Sequence, residues 1–307
     1  MKSQKSYTEQ LKDVKEVFQR FTLKPVEGVP LMKPIADNWE KVASFRAHPN
    51  DLLIATYPKA GTTWIQEMVD LILNNGDAEK CQRAPIPERI PFLEIFSSPT
   101  IPSGVELLEQ TPSPRVIKTH LPLQLVPQSF WEQRCKVIYV ARNAKDNLVS
   151  YFHFDRMNQT QPEPGPWSGY ITKFMKGELS WGSWYDHVKG YWQEREKRGI
   201  LYLFYEEMKQ NPRQEIVRVM NYLGQSLPDD IIEKIVELTS FKSMKSNPMA
   251  NYTFFPDFIF DHKVSPFMRK GEVGDWKNHF SEEESAIFDA HYAEQMKGSD
   301  IPFKTVI

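Results

Sequence analysis

The sequence predicts an α/β protein with a central parallel sheet flanked by helices, and three observations predict it. Four short runs, "LLIATY" (52–57), "RVIKTH" (115–120), "KVIYVA" (136–141) and "ILYLFY" (200–205), are near-continuously apolar rather than alternating, as strands covered on both faces are. Helical patterns follow several of them, and alternation of the two periods argues for a parallel sheet with helices on both sides. The composition, 40% hydrophobic and 25% charged, allows a sizeable core and argues against disorder.

The first element after the first run is "TTWIQEMVDLILNNG", where Ile65, Met68, Val69, Ile72 and Leu73 keep the spacing of one helical face and Gly76 is a stop. "KDNLVSYFHFDRM" follows Asn143, a good N-cap residue. "PRQEIVRVMNYLG" opens with Pro212 in its first turn and closes at Gly224. The proline-rich stretches 85–127 and 162–166 read as surface loops, some lining a site. Neither a repeat nor a linker divides the chain, which reads as one α/β domain with long insertions.

Charge and cysteine usage restrict the function classes. The formal charge is −2, without the basic excess of a nucleic-acid binder, so an anionic ligand has to be held by a local cluster. Two cysteines, Cys81 and Cys135, give no disulfide framework and suit a reducing compartment. The first residues carry no signal-peptide pattern and no apolar run is long enough for a membrane span, so a cytoplasmic protein is expected.

The chemistry sits in the loops. "TYPKAGTTW" (56–64) joins a strand to a helix, where free backbone N–H groups and the helix dipole attract phosphate. Lys59 precedes the single Gly61, unlike the G-x-x-x-x-G-K-[ST] phosphate loop of nucleoside triphosphatases, although the α/β layout is that of P-loop kinases. An ordinary turn with a threonine N-cap has the same residues. "FMRKGEVGDWKNHF" (267–280) sets Arg269 and Lys270 before Gly271; Arg forks onto phosphate oxygens, and a solvated basic loop is the alternative. Arg142 ends a strand with Ser150 in the helix beyond, at the edge where parallel sheets bind ligands, or it pairs with Asp146. Lys118 and His120, two apart at a strand end, share a face. The remaining histidines show no close metal-ligand spacing.

"TYPKAGTTW", "KTHL", "YVARNAKDNLVSYFHF" and "RKGEVGDWKNHF", in this order, resemble the cytosolic sulfotransferases, in particular the phenol (aryl) subgroup. The resemblance runs from "GVPL" (28–31) to the end. It implies transfer of a sulfuryl group from 3′-phosphoadenosine 5′-phosphosulfate (PAPS) to a small phenolic or related acceptor by in-line displacement. It implies a single domain over 1–307, with about residues 1–20 loosely ordered. It places Lys59, Ala60, Gly61, Thr62, Thr63 and Trp64 on the 5′-phosphosulfate, with Trp64 on the adenine. Arg142, Ser150, Arg269, Lys270 and Gly271, beside Phe267 and Met268, would hold the 3′-phosphate. Tyr205 and the stretch Thr239, Ser240, Phe241, Lys242, Ser243 and Met244 would line the nucleoside. His120 matches the family's base, with Lys118 and Lys59 stabilising the moving group.

Acceptor neighbours implied are Phe92, Ile95, Phe154 and Phe267 with Lys118, Thr119 and His120, and the aromatic segment 250–262 is either a buried stretch or a wall over the acceptor. No carboxylate metal site is evident, so lysines and backbone donors would do the work of magnesium. The resemblance leaves a homodimer open, but the family pairing motif K-x-x-x-T-V-x-x-x-E after "GDWK" is degenerate. Counted from Lys277, Ser281 and Glu282 replace T-V and Ala286 replaces the acid. A nucleotide kinase, favouring ATP with magnesium, and a non-catalytic nucleotide-binding protein are the competing classes.

Overall fold

The computed structural model describes residues 7–14, 19–97 and 101–307. A short hairpin of β1 (Leu23–Val26) and β2 (Val29–Met32) stands apart from the main sheet. That sheet contains β3 (Leu52–Thr56), β4 (Val116–Thr119), β5 (Lys136–Ala141) and β6 (Ile200–Phe204), all parallel in the order β4-β3-β5-β6. The four apolar runs are these strands. β5 spans its whole run, β3 and β4 stop short of theirs, and β6 ends at Phe204 because Tyr205 opens a helix directly.

Alternation across the pleat divides the core into two layers. Leu53, Ala55, Val137 and Tyr139 face one layer, and Leu52, Ile54, Ile138 and Val140 face the other. The second layer is closed by α2 (Thr62–Leu73), α5 (Pro212–Leu223) and α6 (Asp229–Leu238) through Ile65, Met68, Ile216 and Ile235. The first is closed by α3 (Ala144–Met157), α4 (Trp184–Arg198) and α7 (Glu282–Gln295) through Leu148, Trp184 and Phe288. Both sheet faces are thus buried, which explains why the strands read as continuous apolar runs.

Helix ends follow the sequence signals. Asn143 caps α3 by accepting from the Asp146 N–H. Gly224 sits at φ 72° after α5. Gly76, at φ 69°, donates its N–H to the Leu71 carbonyl at 2.8 Å.

One region differs from expectation. Residues 85–127 are not a surface loop. They contain β4 and short helices at Ile86–Arg89 and Gly104–Glu109, and Phe92 bridges Lys118 beside β4. Part of the N-terminal segment, residues 1–6 and 15–18, lies outside the described residues. Of the rest, α1 (Tyr7–Asp13) is helical, and Leu11 and Val14 are buried.

Candidate active site

All four strands of the sheet end on one edge, and the functional loops leave from it. β3 ends at Thr56, and the chain turns through Lys59 at φ 68° and Gly61 at φ 102° into α2. A lysine in the left-handed region is strained, and such strain is held at functional sites. The first N–H groups of α2 have no acceptor within the helix. A Cβ on Gly61 would lie 2.8 Å from the Tyr205 ring, so glycine is needed for close approach as well as for φ. Trp64 meets the same ring edge-on at 5.3 Å.

Arg142 follows β5 on this edge. It does not pair with Asp146: its guanidinium donates to the carbonyls of Lys59 (3.1 Å) and Glu272 (3.2 Å) and lies 4.3 Å from the Tyr205 ring. Among the described residues its buried Nε has no acceptor, and neither has that of Arg269. Asp146 instead accepts from the N–H groups of Gly274 and Trp276 at 2.7 and 3.0 Å, tying the basic loop to α3. Within that loop Asp275 bridges Arg269 (2.6 Å) and Lys270 (2.5 Å). Hydrogen bonds and charge from these cations hold its carboxyl well below the usual range despite burial. Gly271, at φ 67°, presses on Phe241, where a Cβ would come within 2.2 Å of the ring. The basic loop is therefore packed into the molecule rather than solvated.

His120 leaves the end of β4. Its Nδ1 donates to the Thr56 carbonyl at 2.8 Å; a carbonyl only accepts, so the proton is on Nδ1 and the Nε2 lone pair is free. Burial and the neighbouring Lys118 push its pKa well below the ordinary 6.5. The Thr56 hydroxyl touches both His120 Nδ1 (3.2 Å) and the Thr62 hydroxyl (2.6 Å), linking the base to the phosphate-type loop. Burial, then the charges of Arg142, Lys118 and Arg269, lower Lys59 to about 7. Burial lowers Lys118 to about 8. Their ammonium groups rest on aromatic faces: Lys59 on Phe267 (3.9 Å) and Phe154 (4.6 Å), Lys118 on Phe92 (4.1 Å).

A shell of buried groups holds His120 in place. Glu94 accepts from the His120 N–H (2.7 Å), Thr119 Oγ1 (2.9 Å) and Trp181 Nε1 (3.1 Å), and burial raises its pKa to about 7. His187 donates through Nε2 to the His120 carbonyl at 2.9 Å and accepts at Nδ1 from the Tyr139 hydroxyl at 2.7 Å.

One cavity of about 450 Å³ runs from the cationic loops to an aromatic end. It brings together Lys59, Arg142, Ser150, Tyr205 and the 267–271 loop with Lys118, His120, Phe92, Ile95 and Phe154. Thr239, Ser240, Phe241 and Met244 also line it, whereas Ala60, Thr119, Lys242 and Ser243 do not. Segment 250–262 is both buried stretch and wall: Tyr252 and Phe260 are buried, line the cavity, and stack on Phe267 at 4.1 and 5.9 Å.

Sequence reasoning missed Trp181, Glu94 and Leu11. Trp181, at φ 67°, packs on His120 at 5.2 Å and on Phe92 at 6.1 Å. No periodicity marks these positions; their roles arise from contacts across the fold.

Residues 49–300 match the family described as "Sulfotransferase domain". The chain is 52% identical to Sulfotransferase 1C2 of Rattus norvegicus over 288 residues, 94% of this chain and 97% of that one. It is 53% identical to Sulfotransferase 1A1 of Mus musculus, again over 288 residues, covering 94% and 99%. Among solved structures it resembles retinol dehydratase in complex with androsterone and the inactive cofactor PAP. That likeness has a TM-score of 0.84 at 25% identity and covers 96% of each chain.

Proposed function

The chain belongs to the sulfotransferase family, and on that premise we propose that it moves a sulfuryl group from PAPS to the hydroxyl of a small phenol or related acceptor, as a single aryl-type sulfotransferase domain. The observation that carries the reading is the single cavity in which cationic loops and an aromatic end meet beside His120. The retinol dehydratase structure holds a 3′,5′-bisphosphate nucleotide and an alcohol together, which supports one cavity serving both reactants.

The residues fit such a nucleotide. Unpartnered N–H groups on Arg142 and Arg269, and glycines that leave no room for a side chain at 61 and 271, suit two separated phosphates. Lys59 to Trp64 would hold the 5′ end, Arg142, Ser150 and Arg269 to Gly271 the 3′-phosphate, and Tyr205 with Thr239 to Met244 the nucleoside. When bound, PAPS supplies the transferable sulfuryl group and a phosphate leaving group.

His120, neutral through burial and with Nε2 unencumbered, accepts the acceptor's proton during an in-line displacement. The acceptor ring lies among Phe92, Ile95, Phe154 and Phe267. Lys59 and Lys118 stabilise developing negative charge. These lysines and the backbone donors make a metal unnecessary to the scheme. A cytoplasmic location suits two buried, unbridged cysteines. Among the described residues no helix is long and apolar enough to cross a membrane.

Thermal unfolding with adenosine 3′,5′-bisphosphate, 5′-AMP or ATP–Mg²⁺ tests the donor assignment. Ligand at about 100 times its Kd adds about 2.7 kcal/mol, several degrees in Tm for a domain of this size. A large shift with the 3′,5′-bisphosphate alone is expected; a larger one with ATP–Mg²⁺ would put a kinase in its place.

A further inference from the structure

The acceptor end of the cavity is completed by a part of the chain far from every motif. Leu11 lines the cavity yet is only 1% exposed, so its side chain is enclosed by the walls it helps to form. With Val14 it packs in one apolar cluster with Ile86, Ile101, Met157, Tyr252, Ile259 and Phe260.

The walls beside Leu11 are clamped to one another. Gln159 donates its N–H to the Ile259 carbonyl and Asp261 to the Met157 carbonyl, each at 2.8 Å. The N-terminal segment joins that clamp through Arg20, whose guanidinium donates to the carbonyls of Asp155, Arg156, Asn158 and Gln161 at 2.8–3.2 Å and pairs with Glu163 at 2.7 Å. These carbonyls belong to the C-terminal end of α3 and the loop after it, where a cation is favourably placed. Phe21 adds its N–H to the Thr160 carbonyl at 3.2 Å and its ring to Phe96 at 5.1 Å.

The chemistry at this end is one-sided. Leu11, Ile101 and Ile259 present aliphatic surface, and among the described residues neither Asp nor Glu lines the cavity. A cationic tail would find no counter-charge among these side chains, whereas an alkyl group would find apolar surface.

We infer that residues 7–14 close the acceptor end and that Leu11 sets the length of apolar substituent an acceptor carries opposite its reacting hydroxyl. The inference rests on the sulfotransferase reading for its substrate class, and the acceptors it selects are neutral phenols with a compact alkyl tail.

The test uses the full chain, 4-n-alkylphenols from methyl to octyl, and the variants Leu11→Ala, Leu11→Phe and Leu11→Met. Two quantities are read: kcat/KM against tail length, and direct binding of the same phenols by quenching of tryptophan fluorescence, for which Trp181 sits in the cavity. Leu11→Ala is expected to raise the long-to-short ratio of kcat/KM by about tenfold or more, and Leu11→Phe to lower it by as much, the scale of a methylene or two in a hydrophobic pocket. Leu11→Met, of similar volume, keeps the wild-type profile and shows that the position tolerates substitution. Identical profiles in all four proteins would overturn the inference. If the wild type transfers to no phenol, the sulfuryl-transfer reading fails, and the binding titrations then decide alone. A length dependence displaced by the Leu11 variants upholds the wall, and a length-independent or absent signal removes it.

Discussion

His120 and the two lysines beside it owe their chemistry to placement, and residue-level tests separate their roles. The Thr56 carbonyl fixes the tautomer of His120, and burial with Lys118 keeps the ring neutral. His120→Ala should cost about 10²–10⁴-fold in turnover while the 3′,5′-bisphosphate binds nearly as before; a mutant retaining more than about a third of the rate would take His120 out of the mechanism. Lys59, at about 7, and Lys118, at about 8, are partly unprotonated in the free chain near neutrality. A bound anion favours the charged form, so binding has to draw protons from solution. At about pH 8 the uptake should appear in calorimetry as a binding enthalpy that depends on the buffer's ionisation enthalpy. A buffer-independent enthalpy would mean that neither lysine meets the anion. His120 and Lys118 were visible in the sequence as a pair at a strand end. Glu94 and Trp181 were not, because an acid 26 residues before the base and a tryptophan in a loop declare nothing until the chain folds.

The elements were the most legible level, since burial of both sheet faces writes itself into the strands as unbroken apolar runs. Caps were legible for the same local reason. Asn143 is fully buried, accepts from Asp146 N–H at 2.9 Å, and donates to Asp146 Oδ2 (2.8 Å) and Glu206 Oε1 (2.9 Å). Asn143→Ala removes the cap and one side-chain donor from each of two buried carboxylates, which keep their backbone donors, so it should cost about 1–3 kcal/mol. Urea denaturation would show this as a lower midpoint at unchanged m; a shift below about 0.5 kcal/mol would mean that water replaces the amide. Outside the 115–120 run, the stretch 85–127 was illegible for the opposite reason. Its prolines signal loop, but Lys118 makes long-range backbone bonds to both sides of Phe92, accepting from Leu93 N–H at 2.8 Å and donating its own N–H to Pro91 O at 2.9 Å.

At the scale of the whole molecule, Ser281, one of the positions at which the pairing motif sought in the sequence is degenerate, has an internal use. Ser281 caps α7 in a capping box with Glu284, whose carboxylate also accepts from Trp167 Nε1 at 3.2 Å. Sedimentation at micromolar concentration is expected to show a monomer, and a tight dimer would mean that another surface pairs. The two ends of the cavity are built by different means. Thr56, His120 and Arg142 stand on the edge of a sheet whose register fixes them together, with Ala55 opposite Thr119 and Thr56 opposite Val140. The aromatic and aliphatic walls come from four stretches, 7–14, 86–96 with Ile101, 154–162 and 250–267, that lie outside the named strands and hold one another by packing and a few backbone bonds. Evolution can thus rewrite those segments without disturbing strand register, and descent from one ancestor can multiply the compounds acted upon while the reaction itself is inherited unchanged.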